Sequence, residues 1–150
     1  MRRIAVVMGG TSNEREVSLR SGAAVVEALR AAGYVVWPVT LDADSVDAVP
    51  RDVDAVFLAL HGGYGEGGGI QADLDRIGLP YTGPGAEASR VAMDKAATKA
   101  RLVAAGVPTA RWEVLARGQG ETVLPLPLVV KPPRDGSSVG VVKVTEPEAW

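Results

Sequence analysis

The chain has 150 residues with 16 basic and 18 acidic side chains, so its formal net charge is -2. Hydrophobic residues make up 47% of the chain and charged residues 23%, which excludes an intrinsically disordered protein. No basic excess is available to bind nucleic acid through bulk charge, so we expect no nucleic-acid partner. The length suits one domain, or one domain and part of another.

Glycine is frequent, with 18 residues, whereas cysteine is absent and His61 is the single histidine. These counts exclude disulfides, thiolate metal sites, a cysteine nucleophile and a histidine cluster for zinc. The N-terminal apolar run is too short for a signal peptide, and no window approaches the ~18 apolar residues of a membrane span. We therefore expect a cytoplasmic protein without membrane association, and we can name no metal ligand in it.

The first half of the chain alternates predicted strands and helices. Apolar, β-branched runs predict strands at residues 4–8, 34–39 and 55–60. A 3.6-residue spacing predicts a helix over residues 18–32, with Ser18 as its N-cap and Gly33 after its end. Weaker signals predict a short helix and a loop over residues 42–54, a helix over 70–77 and a short strand over 79–82. This alternation is typical of an α/β fold with parallel strands and right-handed crossovers.

The pattern changes near Gly83-Pro84-Gly85, and we place a domain boundary at about residue 84. The second half predicts a helical stretch over 86–105 that is broken near Asp94, and strands at 112–115, 128–131 and 141–144. Residues 145–148 are typical of a helix start, and the chain stops soon after them, at Trp150. We therefore expect domains at 1–84 and 85–150, the second incomplete, and expect the chain to be a fragment.

Most glycines lie in loops that follow predicted strands, at residues 9–10, 62–69 and 136–140. Ligands of open α/β sheets bind at the carboxyl ends of strands, where glycine lets backbone N–H groups approach an anion. The first loop has neither a dinucleotide fingerprint nor a Walker A sequence, so its glycines alone favour an ordinary turn. The charged run beside it is less usual, and the carboxylate of Glu14 could receive the ammonium group of a small substrate.

Lys131 ends a predicted strand, and a loop with two glycines and two serines follows it. A lysine held at a strand end suits a nucleotide phosphate, and loop amides and hydroxyls can cover the outer phosphates as in kinases. The alternative is an ordinary glycine-rich hairpin with an exposed lysine. Together with the other loops, the pattern favours nucleotide binding.

A set of segments together resembles the D-alanine–D-alanine ligase family of the ATP-grasp superfamily, in that family's order and spacing. The segments are GGTSNEREVS (9–18), ALHG (59–62), GLPYTG (78–83), MDK (93–95) and KP with GSSVG (131–132 and 136–140). Each segment alone is a weak signal, and the combination is specific. The resemblance implies a Rossmann-like, pre-ATP-grasp parallel-sheet domain over 1–84, followed by an incomplete α+β ATP-grasp subdomain over 85–150.

The resemblance also implies a reaction. ATP phosphorylates the carboxylate of one D-alanine, and the amine of a second D-alanine attacks the acylphosphate to give the dipeptide, ADP and phosphate. Magnesium ions bridge the phosphates, as phosphoryl transfer generally requires, and the dipeptide feeds peptidoglycan synthesis. The family's magnesium ligands lie beyond residue 150, so we expect no dipeptide synthesis by the 150 residues alone. The family further implies a homodimer.

Residue roles follow from the same resemblance. Glu14 matches the glutamate that binds the ammonium of the first D-alanine. Ser137 matches the loop serine that links by a hydrogen bond towards that glutamate. His61 matches the histidine near the first substrate and the acylphosphate. The residues implied in ATP binding are Lys95 and Lys131, which contact phosphates, and Gly136, Ser138, Val139 and Gly140 of the covering loop. Considered without the resemblance, His61 is more often a structural hydrogen-bonding residue. Lys95 is then a solvated lysine on a helix whose N-cap is Asp94.

Other functions remain open at this point. D-alanine–D-lactate and D-alanine–D-serine ligases share these motifs, whereas the Glu14 segment disfavours another ATP-grasp carboxylate–amine ligase. A non-catalytic module that binds a small amino acid or mediates dimerisation is the alternative from a different class. Glu66 lies in the glycine-rich second loop and is a candidate to steady His61.

Overall fold

The computed structural model describes residues 2–147. Its contacts divide the chain into two compact units, Met1–Arg90 and Val91–Trp150. The helix start expected at the end of the chain falls partly on residues 148–150, which lie outside the described residues. Within the described part of the chain, no helix is long and apolar enough to cross a membrane.

The first unit is built on a parallel sheet, as the α/β pattern predicts. Its elements are β1 (Arg3–Gly9), α1 (Arg15–Ala31), β2 (Val35–Leu41), β3 (Ala55–Leu58), α2 (Gly63–Glu66) and α3 (Gly69–Ile77); α4 (Ala86–Met93) runs across the division. The strand order is β2-β1-β3, with Ile4 opposite both Val36 and Ala55. Because β1 is central, its carboxyl end lies beside the carboxyl ends of both neighbours.

The core covers both faces of the sheet, which explains the continuous apolar run of β1. On one face Val6 and Met8 pack with Val26 of α1, and on the other Ala5 and Val7 join the cluster that contains α3. A glycine lets α1 approach the sheet closely: a Cβ on Gly22 would stand 2.6 Å from the Met8 Cβ. The close packing fixes α1, and with it the loop that precedes α1.

Several predicted elements of this unit differ in the structure. Helix α1 begins at Arg15 rather than Ser18, with Glu14 at its N-cap position, and the segment 42–54 contains turns and no helix. The expected strand at 79–82 is reduced to a single parallel bridge between Val56 and Tyr81. The four-residue helix α2 lies in the glycine-rich segment, where the sequence predicts only a loop.

The second unit contains α5 (Lys95–Ala104) and an antiparallel pair, β4 (Leu128–Val130) and β5 (Val142–Val144). The helix break near Asp94 is confirmed, because the Asp94 carboxylate accepts hydrogen bonds from the N–H groups of Ala96 and Ala97, both at 3.0 Å. The strand predicted at 112–115 is wrong, since the chain there forms no strand. An apolar pattern alone does not form a strand when no partner backbone is at hydrogen-bond distance.

Candidate active site

The loops after β1 and β3 are linked by a buried serine. Ser18 is fully buried, accepts a hydrogen bond from the Gly9 N–H at 2.9 Å and donates one to the Ala59 carbonyl at 2.7 Å. The prediction that Ser18 caps α1 is wrong, because the helix begins three residues earlier and the hydroxyl faces the strand ends instead. Ser18 therefore holds together the two places where candidate site residues emerge from the sheet.

Glu14 and His61 are brought close together by this arrangement. The Ser12 hydroxyl donates to the His61 carbonyl at 2.6 Å and accepts from the Glu14 N–H at 3.2 Å. The Glu14 carboxylate lies against the backbone beside His61, since a Cβ on Gly62 would stand 2.8 Å from Glu14 Oε2. Gly62 also has a φ of +68°, a conformation that favours glycine. The pair thus presents a carboxylate and an imidazole at one edge of the sheet.

The His61 ring has a neighbour at each nitrogen. Nε2 lies 3.3 Å from the Ser21 hydroxyl oxygen of α1, and Nδ1 lies 3.7 Å from Glu66 Oε1 at the end of α2. The ring is partly exposed, so it can contact a ligand while these neighbours set its orientation. Glu66 accordingly lies beside His61, where the sequence placed it as a candidate.

Arg15 orders the backbone of the first loop rather than facing a ligand. One guanidinium nitrogen donates to the Gly10 carbonyl at 2.9 Å and to the Leu41 carbonyl at 2.7 Å, and the other pairs with Asp42 at 2.5 Å. These bonds connect the carboxyl ends of β1 and β2. The position of Glu14, the preceding residue, is therefore fixed from both sides.

Helix α2 is held against α3 by a phenol–carboxylate bond. The Tyr64 hydroxyl donates to Asp73 at 2.6 Å. Burial raises the pKa of the Tyr64 hydroxyl well above its usual range, and the bond to Asp73 raises it further. The same bond, with a second from Arg76, lowers the pKa of the Asp73 carboxyl.

In the second unit, Lys95 contacts the glycine–serine loop. Its ammonium donates to the Asp135 carbonyl at 2.6 Å, and its backbone N–H donates to the Pro133 carbonyl at 2.9 Å. The Asp94 carboxylate forms an ion pair with Arg134 at 3.0 Å. The hydrogen bond from the Ala97 N–H is the largest cause that lowers the pKa of the Asp94 carboxyl, and the bond from Arg134 lowers it further. The start of α5 is therefore fixed to the loop over 132–140, whereas Lys131 is exposed at the end of β4.

The backbone of this loop adopts conformations that non-glycine residues rarely take. Ser137 and Ser138 have φ values of +50° and +61°. Gly140 has a φ of +66°, and a Cβ there would stand 2.7 Å from the Pro132 Cγ. Ser137 and Ser138 are the central residues of a turn in which the Val139 N–H donates to the Gly136 carbonyl at 3.0 Å, and backbone strain of this kind concentrates at functional sites. Ser137, Ser138, Val139 and Gly140 are all exposed.

Two serines of the first unit that contribute to the site were not singled out from the sequence. Ser12 links the two loops and Ser21 contacts the His61 ring. Neither belongs to a periodic pattern, and His61, which both contact, lies 49 positions from Ser12 and 40 from Ser21. The one available signal was Ser12's place inside the segment that carries the family resemblance.

Comparisons with known proteins show which proteins this chain is similar to. The family model "D-ala D-ala ligase N-terminus" matches residues 3–46. A D-alanine–D-alanine ligase of Acidiphilium cryptum is 48% identical over 151 residues, covering 97% of this chain and 50% of that ligase. This chain is homologous to the N-terminal half of the D-alanine–D-alanine ligases. It spans about half the length of the curated relatives it matches.

Solved structures of D-alanine–D-alanine ligases have the same fold. The crystal structure of the ligase from Bacillus anthracis matches with a TM-score of 0.89 and 37% identity, covering 99% of this chain and 51% of that one. The structure of that ligase complexed with ATP matches with a TM-score of 0.85 and 35% identity, covering 97% and 51%. The α/β fold class predicted from the sequence is therefore confirmed.

Proposed function

We propose that this chain supplies the first-substrate site and the phosphate-covering loop of an ATP-dependent D-alanine–D-alanine ligase. The observation that carries the proposal is the position of Glu14, whose carboxylate lies against Gly62 and next to His61. Homology along the whole chain to ligases of this name supports D-alanine as the substrate. It favours D-alanine over D-lactate or D-serine as the second substrate, and an enzyme over a non-catalytic module.

The chemistry of the site suits the two ends of an amino acid. The Glu14 carboxylate pairs with the ammonium group of the first D-alanine through charge-assisted hydrogen bonds. On the family pattern His61 lies near the first substrate and the acylphosphate, where a ring N–H can donate a hydrogen bond to an oxygen of the phosphoryl group. One carboxylate oxygen attacks the γ-phosphorus of ATP, and the bond to ADP breaks. The amine of the second D-alanine then attacks the acyl carbon, the amide bond forms and phosphate leaves.

The second unit fits the polyphosphate of ATP. Lys95 already donates to a carbonyl of the 132–140 loop, and Lys131 stands exposed at the strand end before that loop. The positive φ values of Ser137 and Ser138 are strained for residues other than glycine, and such strain concentrates at functional sites, which supports a ligand-binding role for this loop. Gly136, Val139 and Gly140 complete this loop, and the family pattern gives Ser137 the catalytic role of hydrogen bonding towards the glutamate that receives the substrate's ammonium.

Magnesium is the other group that the reaction requires. Among residues 2–147, no group of three histidine, aspartate or glutamate side chains is placed to hold a metal ion. The described residues therefore do not fit the ion, and we assign it no ligand in them. The role in cell-wall synthesis, the cytoplasmic location and the homodimer remain parts of the proposal that rest on the family.

The proposal is tested by calorimetric titration of the chain with D-alanine, L-alanine and D-lactate. We expect D-alanine to bind more tightly than L-alanine, because the site is chiral. D-lactate has a hydroxyl group instead of the ammonium and should bind more weakly than D-alanine by tenfold or more. Equal binding of D-alanine and D-lactate would remove Glu14 from ammonium recognition and contradict the proposal.

A further inference from the structure

A buried glutamine of the first unit makes only part of its hydrogen bonds. Gln71 on α3 is 4% exposed, and its side-chain N–H donates to the Gly65 carbonyl at 2.9 Å. Its own carbonyl oxygen, Oε1, is buried without a hydrogen-bond partner among the described residues. An unpaired buried oxygen lowers the stability of the folded protein. The amide nitrogen of the same side chain, in contrast, has a partner in the Gly65 carbonyl.

The acceptor of that bond belongs to a helix that cannot be stable alone. Helix α2 has four residues, far fewer than an isolated helix needs. Its Gly65 is buried so closely that a Cβ there would stand 2.4 Å from the Leu60 Cβ. No side chain fits at that point, so the backbone carbonyl of Gly65 is the group by which α3 holds this part of α2. Tyr64 and Asp73 provide a second connection between the same helices.

The residue that follows Gly65 is the acidic neighbour of His61. The carbonyl held by Gln71 belongs to the peptide bond between Gly65 and Glu66, so fixing it fixes the backbone of Glu66. Glu66 Oε1 lies 3.7 Å from His61 Nδ1, in ion-pair range. A displacement of α2 by one ångström would change this distance.

We propose that Gln71 is a positioning residue for His61. By holding the Gly65 carbonyl, it keeps Glu66 beside the imidazole, although Gln71 itself lies on another helix and faces no ligand. The arrangement of Gln71, Glu66 and His61 is inferred from the hydrogen bond to Gly65 and the distance between Glu66 and His61, without any assumption about function. Its consequence for ligation of D-alanine rests on the proposed function.

The test uses the single histidine of the chain, whose imidazole gives one Hε1 resonance in the NMR spectrum. The variants are Gln71→Met, which keeps the length and removes the donor, and Gln71→Asn, which withdraws the amide by one methylene. The control is Ile70→Val, a fully buried change at the neighbouring position of α3. We expect both Gln71 variants to move the His61 resonance in the same direction as Glu66→Gln, while Ile70→Val leaves it in place.

A double variant tests whether Gln71 acts on the His61 resonance through Glu66 or independently of it. If Gln71 acts through Glu66, Gln71→Met combined with Glu66→Gln moves the resonance less than the sum of the single changes. Full additivity, or a wild-type resonance in both Gln71→Met and Gln71→Asn, would overturn the proposal. If the first variant does not fold, the second provides the same comparison.

Titration with D-alanine distinguishes this proposal from the proposed function. We expect Gln71→Met to weaken D-alanine binding several-fold relative to Ile70→Val. A resonance that moves as expected in a chain that binds no D-alanine would refute the proposed function and leave the role of Gln71 intact. Unchanged resonances in a chain that binds D-alanine would refute the role of Gln71 alone.

Discussion

The Glu14 carboxylate and the Gly62 backbone are in direct contact: a Cβ on Gly62 would stand 2.8 Å from Glu14 Oε2. The contact joins residues from loops that follow two neighbouring strands of the sheet. The contact requires glycine at residue 62 for two reasons. A side chain would occupy the space beside the carboxylate, and the φ of +68° is a conformation that favours glycine. The carboxylate that we assign to the ammonium of D-alanine is therefore positioned by the absence of a side chain at residue 62.

Gly62→Ala should displace Glu14 and weaken D-alanine binding by tenfold or more. The matched control is Gly33→Ala, since Gly33 also has a positive φ, +86°, but no atom lies within 4 Å of a Cβ there. Gly33→Ala should lose about 1–2 kcal/mol of stability through backbone strain. Gly62→Ala should lose about 1–3 kcal/mol, because its φ of 68° and ψ of 176° lie in a region that is essentially restricted to glycine. Calorimetry with D-alanine distinguishes them, and a Gly62→Ala chain that binds like Gly33→Ala would show that the contact has no role in binding.

Ser18→Ala should lower the free energy of unfolding by about 2–3 kcal/mol, because it leaves the Gly9 N–H and the Ala59 carbonyl buried without their partner. Ser45→Ala is the control, since the Ser45 hydroxyl accepts only a local bond from the Asp47 N–H in an exposed turn. Its effect should stay within about 0.5 kcal/mol. Urea unfolding measures both, and equal losses would mean that the link between the strand ends contributes little.

Tyr64→Phe should cost about 1 kcal/mol at pH 7 through loss of the bond to Asp73. The pKa of the Tyr64 hydroxyl is raised in the folded state, so the unfolded chain loses this proton first as the pH rises. The stabilisation is fully present from neutral pH to about pH 10, the pKa of an unfolded tyrosine, and decreases above it. Unfolding of both chains from pH 7 to 11 should show the difference shrinking, and a constant difference would contradict this linkage.

Lys95→Met should weaken binding of ATP and increase amide exchange over the loop at 132–140, because the Asp135 carbonyl loses its donor. Lys99→Met is a matched control on the same helix, since the Lys99 ammonium bonds outside that loop, to Thr109 and to the Ala110 carbonyl. It should increase exchange near residue 110 and leave ATP binding unchanged. Exchange mass spectrometry and nucleotide titration measure both effects, and equal losses of ATP affinity would remove Lys95 from the phosphate site.

The strands of the first unit could be predicted because their apolar runs are long and local. The break at Asp94 was equally local, since a carboxylate two and three residues before unpaired N–H groups is a helix cap. The functions of Ser18 and Gln71 could not be predicted, because each depends on partners from other elements. Helix α2 was missed for a related reason: its glycines do not favour a helix, and α3 supplies the contacts that stabilise it.

The candidate site, too, could be predicted from the sequence only in part. The parallel-sheet rule and the family resemblance placed Glu14 and His61 in loops that follow two strands. In the structure these strands are neighbours, and the two residues come together. The rule does not give the orientations of side chains, so the contacts of Ser12 and Ser21 with His61 could not be predicted from it. The strand predicted at 112–115 shows the limit of local pattern, because pairing depends on backbone that lies elsewhere in the chain.

The most direct test of the account is calorimetric titration of D-alanine into Glu14→Gln beside Glu16→Gln. Both changes remove one negative charge from the same short run, but Glu16 is exposed on the first turn of α1. We predict that Glu14→Gln weakens D-alanine binding by tenfold or more, as loss of a charge-assisted pair requires, while Glu16→Gln stays within about twofold of the wild type. Unchanged affinity in Glu14→Gln would contradict the central claim that this carboxylate receives the substrate's ammonium group.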